Sequence, residues 1–231
     1  MRQLPLGVRL RDRAVFDSFI VGDNAEAVDH LRSVAQGTRH GVTWLHGLPE
    51  AGRTHLLQAT CVAAAAPGGA GYVPLADFSH GDRSVLEGWS EASVLCLDDL
   101  DRIAGRPDWE ASLFRLHREF EERTASLVIA AAQAPTEIAW SLADLGSRFA
   151  AATVLRVREL DENQRLDALR MRARLRGVEL PDETLHYLRL RVPRDMRTLN
   201  AVLDHLDDAA LEQQRRLTVP FVRKVLGDPP V

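Results

Sequence analysis

The sequence is short of several things that would fix its class at once. Lysine is nearly missing: Lys224 is the only one, so arginine carries almost all of the 29 basic charges. Acidic residues outnumber them at 33, the net charge is −4, and no segment forms a basic tract, which excludes a broad electrostatic field for nucleic acid. Two cysteines, Cys61 and Cys96, are too few for a disulfide framework or a thiolate metal centre and read as small core residues. Aromatics make up 6% of the chain against 45% hydrophobic residues, so the core must be mainly aliphatic. There is no apolar run of membrane-spanning length and no recognisable signal peptide, so a soluble, cytoplasmic protein without a membrane partner is expected.

What is present starts with Gly47-Leu48-Pro49-Glu50-Ala51-Gly52-Arg53-Thr54. Its glycines have the spacing of a phosphate-binding loop, G-x-x-x-x-G-K-[ST], with arginine where lysine is usual. Such a loop curls so that backbone N–H groups and the N-terminus of the next helix converge on a diphosphate. Val42 to His46 before it reads as a buried strand and His55 onward as a helix. Arg53 then stands on the β/γ-phosphates and Thr54 offers its hydroxyl to Mg²⁺; a plain glycine turn opening a helix is the alternative. Downstream, Val94-Leu95-Cys96-Leu97-Asp98-Asp99 is an apolar run ending in two acids, the pattern of a central parallel strand buried on both faces. At its C-terminal end, where open α/β sheets bind ligands, Asp98 is placed to hold Mg²⁺ and Asp99 to orient an attacking water. Solvated acids in an exposed turn are the competing reading of that pair alone. Together the two motifs favour a nucleotide site.

Residues 1–12, with Pro5 and Gly7, read as an arm outside the core. Over residues 13–159 strands near 42–46, 71–76, 93–98, 126–132 and 153–157 alternate with helices near 24–36, 54–66, 107–123 and 136–145, which predicts a five-stranded parallel sheet flanked by helices. Residues 160–231 carry only helical signals: a stretch capped by Asp161 and ended by Gly177, another opened by Pro181, a third over 194–214, and a last short one with Pro220 in its first turn. An α/β body with a small helical lid is the outline of an AAA+ P-loop module.

Several segments carry a family resemblance over nearly the whole chain. Phe16-Asp17-Ser18-Phe19-Ile20-Val21-Gly22-Asp23-Asn24 is similar to the segment that opens the AAA+ domain of the replication initiator DnaA and lines its adenine pocket. Ala51 to Leu57, Gly71 to Leu75, Arg172 to Pro181 and Met196-Arg197-Thr198-Leu199 resemble the Hda family, DnaA-homologous regulatory inactivators in which the loop arginine is a shared trait. The resemblance implies an ADP-binding site, with ATP possible, formed by Phe19, Val21, Gly47, Gly52, Arg53, Thr54, His55 and the lid arginine Arg197, with Mg²⁺ on Thr54 and Asp98. It implies an arginine finger at Arg148, within Leu142-Ala143-Asp144-Leu145-Gly146-Ser147-Arg148-Phe149, presented to a neighbour's nucleotide; a surface arginine paired with Asp144 is the plainer reading. It also implies that Gln3-Leu4-Pro5-Leu6 engages the DNA polymerase III β sliding clamp through Gln3, Leu4 and Leu6, whereas a plain tail is the other possibility.

The chain stops at Val231 with no room for the helix-turn-helix domain with which DnaA reads DNA, so sequence-specific DNA binding is not expected. The end of the fourth strand, where related ATPases place a polar γ-phosphate sensor, reads Ala130-Ala131-Ala132-Gln133. With Arg53 for lysine and Asp99 for the commoner glutamate, weak intrinsic hydrolysis follows. The expected function is a replisome-associated regulator that binds ADP and the clamp, docks on DnaA and stimulates hydrolysis of DnaA-bound ATP, so inhibiting re-initiation of replication; homo-oligomers are possible. The alternatives are an autonomous DnaA-like or helicase-loader ATPase acting on nucleic acid, and a nucleotide-free adaptor.

Overall fold

A computed structural model describes residues 14–64, 69–78, 81–191, 196–213 and 215–227. These divide into two compact units, residues 14–161 and the helical stretch from Glu162 on.

In the first unit the elements run α1 (Ala25–Ala35), β1 (Gly41–His46), α2 (Arg53–Ala63), β2 (Ala70–Pro74), α3 (Leu75–Phe78), β3 (Val94–Asp98), α4 (Pro107–Glu122), β4 (Ser126–Ala131), α5 (Ala143–Ala150) and β5 (Thr153–Arg156). The five strands form one parallel sheet in the order β2-β3-β4-β1-β5. β3 and β4 sit inside the sheet and every residue of both is buried, as their unbroken apolar sequences require; in β5, at the edge, only Leu155 is.

Because successive strand side chains point to opposite faces, the sheet feeds two cores. Trp44, Leu95, Leu97, Leu127 and Ile129 face one, with Trp109, Leu113 and Leu116 of α4 and Phe149 of α5. Leu45, Val94, Cys96, Val128 and Ala130 face the other, with Leu31 of α1 and Leu56 and Leu57 of α2. Cys96 thus behaves as a small apolar residue, and burial pushes its thiol pKa up.

Two expected elements are revised. The strand drawn over 71–76 ends at Pro74, after which α3 begins at once. The helix drawn over 136–145 is instead a short 3-10 turn, Pro135–Glu137, followed by α5 at Ala143–Ala150, so that Arg148 lies inside a helix. The physical reason is Glu110 of α4. This carboxylate is fully buried and accepts N–H bonds from Gly105 at 2.6 Å, Ser141 at 3.2 Å and Leu142 at 2.6 Å. Taking up the N–H groups of Ser141 and Leu142 from outside, it sets the α5 N-terminus at Leu142.

The second unit comprises α6 (Glu162–Leu175), α7 (Asp182–Arg191), α8 (Met196–Gln213) and α9 (Val219–Leu226) around its own core of Leu169, Ala173, Leu185, Leu188, Leu203, Leu206 and Phe221. Inside it the buried Thr184 hydroxyl donates to the Leu217 carbonyl at 2.7 Å, and the Arg176 guanidinium, 7% exposed, pairs with Asp204 at 2.6 Å. No helix among the described residues is long and apolar enough to cross a membrane.

Candidate nucleotide site

β1 ends at His46 and the chain turns directly into Gly47. A Cβ there would run into the carbonyl oxygen of Val157, just beyond β5, whose N–H donates to His46 O at 2.7 Å. Only glycine lets the loop pass that close to backbone. At Gly52 the chain takes φ +101°, left-handed, and a Cβ would lie 2.7 Å from Phe19 Cε2. α2 begins at the next residue, Arg53, so its first-turn N–H groups, which have no intrahelical acceptors, open at the loop.

The entry segment is held over this helix. His55 Nε2 lies 2.9 Å from Val15 O and 3.2 Å from Ser18 Oγ, and its ring is 5.4 Å from that of Phe19. Phe19, Gly52 and His55 are therefore in one place, while Val21 is exposed. Asn24, almost fully buried, bonds Arg158 at both ends: Arg158 N donates to Oδ1 at 2.7 Å and Nδ2 donates to Arg158 O at 3.0 Å. It ties the entry segment to the strand leaving the sheet.

Arg53 Nη1 is buried without a hydrogen-bond partner. A shielded guanidinium nitrogen left open beside a glycine loop suits an anion. Together with a glycine cradle that a methyl group would fill, it fits a bound phosphate. Thr54 beside it is exposed.

β3 delivers Asp98, 3% exposed. Its Oδ2 accepts the Tyr72 phenol proton at 2.8 Å and its Oδ1 accepts Asp99 N–H at 3.0 Å. Burial and the Asp98 carboxylate push the phenol pKa far up, so Tyr72 stays a donor. Asp99 sits at φ +55°, and burial, then Asp98 and Asp101, raise its carboxyl pKa against the opposing pull of Arg53 and Arg102. Sequence reading missed Tyr72; the signal was a phenol in the strand beside the acidic pair. It missed Asp101 as well, whose Oδ1 accepts Ala132 N–H at 2.9 Å, at the end of β4, where the polar sensor was sought. Gln133 has an exposed side chain, and its carbonyl accepts the Trp44 indole N–H at 2.9 Å.

Arg148 stands elsewhere. It is anchored by its helix: Phe149 packs on Trp44 and Trp140 with ring centroids 5.4 Å from each. Its guanidinium lies 5.1 Å over the Phe114 ring and pairs with Glu121 at 3.0 Å and with Asp144 at 3.7 Å. It lines an open cavity of about 520 Å³ with Gly41, Ala125 and Thr153, at or beside the starts of β1, β4 and β5. The phosphate loop follows the end of β1, so Arg148 and Arg53 occupy opposite ends of the strands. The Arg197 backbone lies in α8, but its side chain is outside the described residues, as are Gln3, Leu4 and Leu6.

Residues 161–226 match the family model of the Hda lid domain. Among solved structures, domain III of Thermotoga maritima DnaA superposes with a TM-score of 0.77 at 21% identity, over 92% of this chain and 95% of that one. AMPPCP-bound DnaA from Aquifex aeolicus gives 0.70 at 20% identity over 89% and 68%. The Thermotoga maritima RuvB Holliday junction branch migration motor gives 0.63 at 18% over 94% and 72%. The chain thus has an AAA+ fold similar to that of DnaA, and its residues 161–226 are similar to the Hda lid domain.

Proposed function

We propose that the protein is a regulatory inactivator of DnaA: an ADP-holding AAA+ module that docks on ATP-bound DnaA and supplies Arg148 to DnaA's nucleotide. The observation that carries this reading is the separation of Arg148 from the chain's own phosphate loop, at the opposite end of the sheet. An arginine so placed does not serve its own nucleotide, but it is 32% exposed and is available to a neighbour's. The contacts that hold it are no obstacle. Glu121 is 61% exposed, and a pair this open is worth only about 0–1 kcal/mol, far less than a finger returns when it meets a transferring phosphoryl group.

On the nucleotide side, Gly47, Gly52, Arg53 and the α2 N-terminus would hold the diphosphate, with Phe19 and Val21 toward the base, and Thr54 and Asp98 would hold Mg²⁺. When bound, the metal neutralises phosphate charge. The lone buried Arg53 nitrogen suits a β-phosphate, and no side chain at the end of β4 is set to read a γ-phosphate, which favours ADP over ATP. Gln3, Leu4 and Leu6 would bring the protein to the sliding clamp, where it meets DnaA at the replisome.

The test is ATP turnover by purified DnaA with this protein and DNA-loaded clamp, against either alone. Stimulation that needs both, and that Arg148→Ala reduces by roughly 10³–10⁵ while ADP binding persists, is the expected result. Steady turnover by this protein without DnaA would support an autonomous ATPase instead. Stimulation retained in Arg148→Ala would remove Arg148 from the mechanism.

A further inference from the structure

The buried acid at the end of β3 is not held by its own strand alone. Tyr72 lies on β2, the neighbouring edge strand, where Pro74 is in register with Asp98 and Tyr72 with Cys96. Two residues back along a parallel strand puts the phenol on the same face as the carboxylate, and it reaches forward to Asp98 Oδ2 at 2.8 Å. A carboxylate only accepts, so the single phenolic hydrogen points at Asp98. The opposite carboxylate oxygen takes Asp99 N–H at 3.0 Å. Each Asp98 oxygen therefore has one fixed donor and a remaining acceptor direction.

We propose that Tyr72 is a positioning residue for the metal of this site: it locks the Asp98 carboxylate in the orientation that receives Mg²⁺ or a Mg²⁺-bound water. This rests on the nucleotide-binding reading of the site. Magnesium tolerates little departure from octahedral geometry, so a carboxylate free to swing is a poor ligand, and outer hydrogen bonds that fix it matter as much as its charge. The burial of Asp98 sharpens the requirement, because little water is at hand to replace a lost donor.

The proposal is tested by equilibrium binding of a fluorescent ADP analogue to the full-length protein, titrated with Mg²⁺ and repeated in EDTA. Tyr72→Phe keeps the ring and removes only the hydroxyl. It should leave binding in EDTA unchanged and move the Mg²⁺ midpoint upward by roughly 10- to 100-fold. Asp98→Ala should abolish the Mg²⁺ dependence altogether. An unchanged Mg²⁺ midpoint in Tyr72→Phe beside a lost dependence in Asp98→Ala overturns the proposal while sparing the nucleotide reading. Equal weakening in Mg²⁺ and in EDTA also overturns it, since Tyr72 would then only support the fold. Failure of the wild-type protein to bind the analogue at all overturns the nucleotide reading and the proposal with it.

Discussion

Glu110 shows how much one side chain settles that its neighbours in sequence do not announce. On a helical wheel it is one more acid in the first turn of α4, where a carboxylate suits the helix dipole. In the fold it is fully buried and takes three backbone N–H groups from two separate loops. Glu110→Gln replaces one acceptor oxygen by an NH₂ that must face a donor. Each N–H left unmatched costs roughly 1–3 kcal/mol, so the unfolding free energy measured by chemical denaturation should fall by about that much. Because Ser141 and Leu142 lead into α5, which carries Arg148, the same variant should, under the proposed function, lower stimulation of DnaA further than its stability loss explains. An unfolding free energy within a few tenths of a kcal/mol of wild type would show that Glu110 does not hold these loops. Arg53 is the converse case: its spacing after the glycines is read from the sequence, but only the packed structure shows that its Nη1 is shielded.

At the level of elements, the strand–loop–helix unit was legible and its tolerances were not. The run Val42 to His46, the two glycines and the helix after them are local patterns, and β1 and α2 fall where those patterns put them. Why position 47 must be glycine is a non-local matter: Val157, more than a hundred residues away, presents its carbonyl there. Gly47→Ala should destabilise the body by on the order of 1–3 kcal/mol through overpacking against backbone that has little room to yield, and should weaken ADP binding as the loop is displaced. Calorimetric binding beside a thermal melt checks both; an alanine variant with wild-type values for each would mean the loop relaxes freely. α5 was not legible in the same way. The sequence predicts a helix over 136–145, but the start of α5 is set by Glu110 from α4 and its packing by Trp44 from β1, contacts that no window of sequence contains.

For the whole molecule, three histidines give the body a common response to acid. Burial lowers the pKa of His30, which faces Thr43 with Arg39 and Glu26 nearby, of His46, among Glu137, Arg156 and Arg53, and of His117, beside Glu121 and Arg148. Each folded-state pKa lies below the ordinary 6.5, so just below that pH the unfolded chain binds more protons than the folded one and stability rises with pH. Their contribution is complete above 6.5 and is lost as pH falls through the folded values. A melting temperature that drops between about pH 7 and pH 5, with a shallower drop in His30→Gln/His117→Gln, is expected; parallel curves would assign the acid response to other groups. What the sequence determined by itself is the class of the molecule and the address of its phosphate loop and acidic strand end, because strand and helix periods, glycine spacing and apolar runs are encoded within a few consecutive residues. What only the tertiary structure decided is the company those residues keep. Tyr72 stands on Asp98, Asp101 on the end of β4, and Arg148 at the far end of the strands from Arg53, because parallel crossovers and packing bring together groups that the chain keeps far apart, and that pairing depends on shape and burial rather than on any local pattern.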